Sequence, residues 1–197
     1  MESDLSGFTA IIGKAQKVFL RKEVMPRKVE VLPYDPSWPS AFEEEVARLR
    51  DPLGEILVAI HHIGSTSIPS LAAKPIIDIL LVDRDHGQLD ARKESMIALG
   101  YEPKGEYGIP GRRYFRKCRG DVHLFHIHAF EFGHPEIARH LNFRDYLRDH
   151  PREAQAYQDL KQRLAELFPN EPNLYNSGKT DLIRAVDKRA AHWHTAL

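Results

Sequence analysis

The sequence is poor in cysteine and has no excess of charge of either sign, and each of these absences excludes some classes of protein. It contains one cysteine, Cys118, among 197 residues, so no disulfide can form within the chain, and we expect a reducing compartment, the cytoplasm. Lysine plus arginine (28) equal aspartate plus glutamate (28), so no overall field attracts the protein to nucleic acid or to an acidic membrane. We therefore expect neither nucleic acid nor a membrane as partner.

Long apolar runs and repeats are also missing. No stretch approaches the roughly 20 apolar residues that cross a bilayer. The segment from Met1 to Leu20 lacks the unbroken apolar core of a secretory signal. With no repeat and no low-complexity tract, a chain of 197 residues is expected to form one domain, with at most a helical appendage.

The beginning of the chain has the spacing of an amphipathic helix. Apolar residues recur every three or four positions, which places them on one helical face: Leu5, Phe8, Ile12, Ala15 and Phe19. We interpret residues 1–27 as a helical extension. Its apolar face either packs on the rest of the chain or binds a partner protein or a second copy in a homodimer.

The remainder, residues 28–197, divides into a sheet-forming part up to about residue 131 and a helical part over about 134–197. Apolar or alternating segments predict strands at residues 28–32, 57–63, 75–82, 112–116 and 122–130. Helical spacing predicts a helix that begins at Ser40, one over residues 90–99 and three after residue 134. The predicted fold class is α+β, a mixed β-sheet core with a helical C-terminal part.

The first candidate site is a short loop after the strand at residues 57–63. Gly64 is followed there by three hydroxyl residues, Ser65, Thr66 and Ser67. Glycine lets the backbone approach a ligand closely, and hydroxyl and N–H groups can bind phosphate oxygens. Taken alone, the same residues also describe an ordinary turn with hydroxyl caps.

The next strand carries a single charge, Asp78, in a segment that is apolar on both faces and therefore typical of a covered central strand. A buried carboxylate without a partner is costly, so a metal ion, a cation or a helix N-terminus is expected nearby. The alternative is a structural aspartate that caps a loop. Lys74, before the strand, is a candidate to bind phosphate, as are Arg113 and Lys117, which share one face of a later strand.

These residues resemble the GrpB-like family. The family signature is similar to residues 62–79, His-Ile-Gly-Ser-Thr-Ser-Ile-Pro-Ser-Leu-Ala-Ala-Lys-Pro-Ile-Ile-Asp-Ile. Further similar segments lie at residues 111–117, 123–128, 143–151 and 178–180. The resemblance implies a nucleotidyltransferase-like fold, in which a Gly-Ser loop holds a nucleoside triphosphate and carboxylates hold divalent metal ions.

One position departs from the nucleotidyltransferase pattern. Those enzymes usually carry a second carboxylate two residues after the first, and this chain has Leu80 there. Glu106, Asp121 and Glu131 are the remaining candidates to reach Asp78, but their spacing gives none of them a matching strand position.

Two histidines are candidates to replace the missing carboxylate. His126 and His128 share one face of the strand at residues 122–130 and, with Asp78, form a candidate site for a divalent metal ion. Nucleotidyl transfer implies magnesium or manganese, whereas imidazole ligands suit manganese or zinc better than magnesium. Alternatively, the histidines bind phosphate as cations or carry protons.

Two functional hypotheses follow. The first is a metal-dependent nucleotidyltransferase that uses a nucleoside triphosphate and a small-molecule or protein acceptor, with Asp78 as catalytic residue. The second is a non-catalytic module that binds a nucleotide, another small phosphate-containing ligand or a partner protein; Leu80 favours it. A metal-dependent hydrolase or phosphatase fits the same residues less economically.

Overall fold

Five strands form one mixed sheet in the computed structural model, which describes residues 28–195. They are β1 (Leu57–Ile63), β2 (Ile77–Asp83), β3 (Tyr101–Pro103), β4 (Arg112–Arg119) and β5 (Val122–Glu131). Their order is β1-β2-β5-β4-β3; β2 and β5 run parallel, and the other neighbouring strands are antiparallel. The predicted α+β class with a mixed sheet is confirmed.

Helices lie on both faces of this sheet. One face is covered by α1 (Trp38–Leu53), α2 (His86–Ala91) and α3 (Lys93–Ala98). The predicted helical C-terminal part comprises α4 (Pro135–Asp149), α5 (Pro151–Leu167), α6 (Pro172–Ser177) and α7 (Thr180–Thr195). Apolar residues of α4 pack this part on the opposite face of the sheet.

The central strand β2 is buried on both faces because its side chains alternate between two apolar clusters. Every second residue packs towards α1: Ile77, Ile79 and Leu81. Leu80 and Val82 pack on the opposite face, where Ile137 and Leu141 of α4 contact them. Asp78 lies on this second face, at the end of the strand that the apolar residues of α4 leave open.

The predicted strand at residues 28–32 is wrong. Leu32 forms a single antiparallel bridge with Ala73, whereas Val29 donates a backbone hydrogen bond to Pro169 O. The segment therefore contacts the loop before β2 at one end and the residues after α5 at the other. With partners in two different places, it cannot continue one hydrogen-bonded ladder.

Several element boundaries also differ from the prediction. α1 begins at Trp38, before the predicted start at Ser40. The helix predicted at residues 90–99 is two short helices separated at Arg92, whose φ of −93° and ψ of 9° are not helical. β3 and α6 were not predicted, because three and six residues are too few for a periodic pattern.

The helical extension predicted at residues 1–27 lies outside the described residues. The alternatives for its apolar face therefore stay predictions. Within residues 28–195, no helix combines the length and the apolar character that crossing a bilayer requires.

Candidate functional site

The pairing of β2 with β5 brings Asp78 and two histidines together. Asp78 is opposite His126 in the register, and Leu80 is opposite His128. Residues opposite each other point to the same face of a sheet, here the face of the C-terminal helices. His126 Nδ1 lies 3.3 Å from Asp78 Oδ1, and His128 Nε2 lies 3.8 Å from the same oxygen.

These contacts and burial determine the protonation states of Asp78 and His128. Burial raises the pKa of the Asp78 carboxyl, but its contacts with His126 and His128 outweigh burial, so the pKa lies below the ordinary value. Burial lowers the pKa of His128, although Asp78 opposes this effect. Asp78 is thus an anion beside a neutral His128, and 29% of its side chain remains accessible.

Gly64 lies directly against this carboxylate. β1 pairs with β2 so that Ile63 is opposite Asp78, and Gly64 follows with a φ of 70°. A Cβ atom at position 64 would overlap Asp78 Oδ2. Only glycine allows both this backbone conformation and this approach, which explains why the loop begins with it.

Hydrogen bonds hold the loop after Gly64 in one 3₁₀ turn. Ser67 donates to Gly64 O from its backbone N at 3.2 Å and from Oγ at 2.7 Å. Arg148 of α4 donates to Ser67 O at 3.1 and 2.7 Å. Ser67 is therefore occupied in holding the loop, whereas Gly64, Ser65 and Thr66 line the adjacent cavity.

Two adjoining cavities lie between the sheet and the C-terminal helices. The first, named the lysine cavity, has a volume of about 160 Å³ and is lined by Gly64, Ser65, Thr66, Lys74, Ile76, Asp78, His126, Tyr157, Lys161, Tyr175 and Lys179. The second, named the histidine cavity, is about 360 Å³. It shares six residues with the first, Gly64, Lys74, Asp78, His126, Tyr157 and Lys179, and adds, among others, Tyr114, His128, Arg139, His140 and Phe143. Asp78 is the only carboxylate among the described residues that line either cavity.

Three lysines converge on the lysine cavity. Lys161 is 2% exposed and donates from Nζ to Ala72 O. Burial and the nearby charges of Lys179 and Lys74 lower its pKa to about 7. Burial and Lys74 also lower the pKa of Lys179 to about 7, although Asp78 opposes this shift. Because one carboxylate faces three amines, the cavity favours an anion.

Two tyrosine rings support these lysines. Lys179 Nζ and Lys74 Nζ lie 4.3 and 4.9 Å from the centre of the Tyr175 ring, and Lys161 Nζ lies 4.7 Å from that of Tyr157. Such contacts stabilise a cation over a ring face. The rings therefore hold the amines near the cavity without neutralising their charge.

Arg113 and Lys117 do not reach either cavity. Both point to the face that α1–α3 cover, where Arg113 makes two hydrogen bonds of 2.9 Å with Asp90, and Lys117 pairs with the buried Glu45 at 2.7 Å. The structure therefore does not bring these two side chains to the cavities beside Gly64 and Asp78. Strand periodicity showed that the two residues share a face, but it could not show which helices cover that face.

The candidates for a second carboxylate lie elsewhere. Glu106 accepts a hydrogen bond from a backbone N–H of its own loop at 2.7 Å. Asp121 lies between β4 and β5 and lines a further cavity, which shares Lys74 and Ile76 with the lysine cavity but does not include Asp78. Glu131 is opposite Asp83 in the register, at the far end of β2 from Asp78. Asp78 therefore has no second carboxylate beside it among these candidates.

The predicted metal ligands are adjacent but do not form a metal centre. Throughout the part of the chain that the structure describes, no group of three His, Cys, Asp or Glu side chains is arranged to hold a metal ion. His126, moreover, has a second partner, because its Nε2 lies 2.8 Å from His123 Nδ1. Asp78, His126 and His128 are thus joined by contacts among themselves.

Most of the basic residues of the site were not predicted from the sequence. Lys161 comes four residues after Tyr157 on α5, so a charge within an apolar helical face was the available signal. Lys179 gave no such signal, since a lysine at the start of a helix is usually solvated. Arg139 and His140 also line the histidine cavity and belong to a helix whose pattern indicated only packing.

The family model and a solved structure show which family the chain is similar to. The family model described as GrpB protein matches residues 28–189. The crystal structure of conserved protein GrpB from Enterococcus faecalis is 40% identical in sequence and similar with a TM-score of 0.81, over 84% of this chain and 99% of that chain.

Two relatives give the same result. The UPF0157 protein YqkA of Bacillus subtilis is 48% identical in sequence over 85% of this chain. The matched region is about half of YqkA, 48% of its length. The glutamate-rich protein GrpB of Alkalihalophilus pseudofirmus is 31% identical over 81% of this chain and 94% of its own length.

Proposed function

The chain belongs to the GrpB family, and from that premise we propose that its lysine cavity binds the phosphate groups of a small ligand such as a nucleoside triphosphate. The supporting observation is the convergence of Lys74, Lys161 and Lys179 on a cavity with one carboxylate, Asp78. Burial lowers the pKa of Lys161 and Lys179, and a bound polyanion would stabilise their charged forms.

The loop after Gly64 forms the second part of the proposed site. The first hydrogen bonds inside its turn are donated by Ser67 and Ile68. The N–H groups of Ser65 and Thr66 precede those bonds and, with the Ser65 hydroxyl, can donate to phosphate oxygens. The loop would then bind the anion from one side and the lysines from the other.

A divalent metal ion, the cofactor of nucleotidyl transfer, fits these residues poorly. Two-metal transfer needs several carboxylates around the ions. In the described cavities Asp78 is the only one, and the buried Leu80 occupies the position expected for the second. Binding of a phosphate-containing ligand is therefore the function supported best.

Metal-dependent nucleotidyl transfer is the second candidate function. It is favoured by the contact of Gly64 with Asp78, because the family resemblance implies a Gly-Ser loop next to a metal-binding carboxylate. In this reading Asp78 holds magnesium, manganese or zinc, and a small molecule or protein accepts the nucleotidyl group.

Calorimetric titration with tripolyphosphate and with ATP tests the binding proposal. In metal-free buffer at neutral pH we expect wild type to bind both, and Lys161→Met and Lys179→Met to bind at least about tenfold more weakly, a loss of about 1.4 kcal/mol. Lys188→Met removes an exposed lysine from α7 and should leave binding unchanged. Absence of binding by folded wild type would contradict the proposal.

Asp78→Asn separates the two candidates. In metal-free binding, removal of the negative charge should strengthen the affinity for tripolyphosphate, because the carboxylate repels phosphate. In metal-dependent transfer the same variant should lose both the stabilisation that magnesium or manganese adds with ATP and the release of pyrophosphate. Ligand at a hundred times its dissociation constant adds about 2.7 kcal/mol to the free energy of unfolding, which melting curves resolve.

A further inference from the structure

The contact between Arg112 and His128 determines which ring nitrogen of the histidine carries its proton. Arg112 Nη1 lies 3.2 Å from His128 Nδ1. A guanidinium has only N–H donors and remains charged, so Nδ1 must be the acceptor and cannot carry a proton. The proton of the neutral imidazole is therefore on Nε2.

The protonated nitrogen faces the carboxylate. His128 Nε2 is 3.8 Å from Asp78 Oδ1, which is longer than a hydrogen bond and makes the contact electrostatic. His126 Nδ1 approaches the same oxygen at 3.3 Å. Asp78 Oδ1 thus meets the positive end of an N–H dipole from His128.

Arg112 is fixed by further contacts within its own strand and loop. The residue is 5% exposed; its Nη2 donates to Tyr107 O at 2.6 Å and its Nε to Glu106 O at 3.1 Å. The guanidinium also lies 4.9 Å from the centre of the Tyr114 ring. All three guanidinium nitrogens are engaged, so Arg112 cannot leave His128 without breaking several contacts.

We propose that Arg112 is a positioning residue that prevents His128 from binding a metal ion. Arg112 occupies the lone pair of Nδ1, and Nε2 carries the proton, so neither nitrogen offers a free lone pair. The metal site predicted at Asp78, His126 and His128 would therefore lack one of its three ligands. Asp78 is left to accept a hydrogen bond from a hydroxyl or amine group of a ligand. The inference concerns Asp78 and His128 and is independent of phosphate binding by the lysines.

Nitrogen-15 NMR of the histidine rings tests the tautomer directly. In wild type at neutral pH, His128 should show an unprotonated Nδ1 and a protonated Nε2, with its signals assigned by their loss in His128→Phe. A proton on Nδ1, alone or together with Nε2, would overturn the inference. This measurement uses the wild-type protein and stands even where a variant does not fold.

Zinc titration tests the consequence. Arg112→Met should bind Zn²⁺ at least about tenfold more tightly than wild type, since it frees a histidine nitrogen beside a carboxylate. The double variant Arg112→Met/His128→Phe should lose most of this gain. Removal of a positive charge also favours a cation, but that effect would persist in the double variant. Equal zinc affinity in wild type and Arg112→Met, or a gain that His128→Phe does not reduce, would show that Arg112 does not restrain His128.

Discussion

At the scale of single residues, position 64 tolerates no side chain, for two separate reasons. Its φ of 70° is strained for any L residue, and a Cβ atom would overlap Asp78 Oδ2. Gly105 offers a matched comparison, because it has a φ of 62°, but a Cβ atom there would meet nothing within 4 Å beyond its chain neighbours. The difference between the two positions therefore isolates the contact with the carboxylate.

We expect Gly64→Ala to lower the free energy of unfolding by about 1 kcal/mol more than Gly105→Ala, because both alanines carry the backbone strain and only one displaces Asp78. Gly64→Ala should also weaken tripolyphosphate binding, whereas Gly105→Ala should not. Denaturant unfolding and calorimetric titration measure the two effects. Equal losses of stability, with ligand affinity retained in both variants, would contradict this reading of the loop.

Site residues could be predicted from the sequence where they belong to one short segment of the chain. Gly64 and Asp78 are fourteen positions apart on consecutive elements, so a strand, a loop and a second strand suffice to bring them together. Lys161 belongs to α5, whereas Lys179 lies directly before α7. Their convergence depends on how α5 and α7 pack against α4 and the loop before β2, which no pattern within either helix encodes.

At the scale of elements, a buried carboxylate ties α1 to the strands beneath it. Glu45 of α1 is 0% exposed and accepts hydrogen bonds from Tyr101 Oη at 2.9 Å, Lys117 Nζ at 2.7 Å and Arg48 Nη1 at 3.1 Å. Burial and the nearby Glu45 charge raise the pKa of Tyr101, so its hydroxyl stays a donor. One side chain therefore satisfies donors from α1, β3 and β4.

Glu45→Ala should destabilise the protein by about 3–5 kcal/mol, because it leaves the Lys117 ammonium without its buried partner. Glu44→Ala, at an exposed position of the same helix, should change stability by less than about 0.5 kcal/mol. Tripolyphosphate affinity of the folded fraction should remain unchanged, since the network is on the face away from the cavities. A loss below about 1 kcal/mol in Glu45→Ala would show that Lys117 finds another partner.

The contact of Lys117 with Glu45 shows why the orientation of β4 could not be predicted. The period of two correctly placed Arg113 and Lys117 on one face of the strand. Which face looks towards the ligand cavities depends on the pairing of β4 with β5 and on the helices that cover each side. Both are long-range properties, so two basic residues were assigned to the site and Arg112, on the opposite face, was not.

At the scale of the whole molecule, the site lies where the sheet core and the helical C-terminal part meet. Lys74 belongs to the loop before β2, Lys161 to α5, and Lys179 to the residues before α7. Neither part alone assembles the three lysines. The order of a sheet-forming half and a helical half was predictable from periodicity, but the cavity between them arises only from their packing.

Ligand binding, proton binding and folding are coupled through these lysines. Lys161 and Lys179 have pKa values of about 7 in the ligand-free protein, against an ordinary 10.5. Between these values the unfolded chain binds more protons than the folded one, so the free energy of unfolding of the ligand-free protein rises with pH over that interval. A bound polyphosphate stabilises the charged amines and therefore raises the pKa of both lysines. Ligand binding is then accompanied by proton uptake.

Stability and affinity should therefore change in opposite directions as the pH rises. From about pH 7.5, where the triphosphate of ATP is already ionised, to about pH 9, ATP affinity should fall while the melting temperature of the ligand-free protein rises. Calorimetry in buffers of different ionisation enthalpy should detect net proton uptake on binding. Lys188→Met should follow the wild-type pH dependence. Affinity that stays constant over this interval would mean that the buried lysines do not change protonation when the ligand binds.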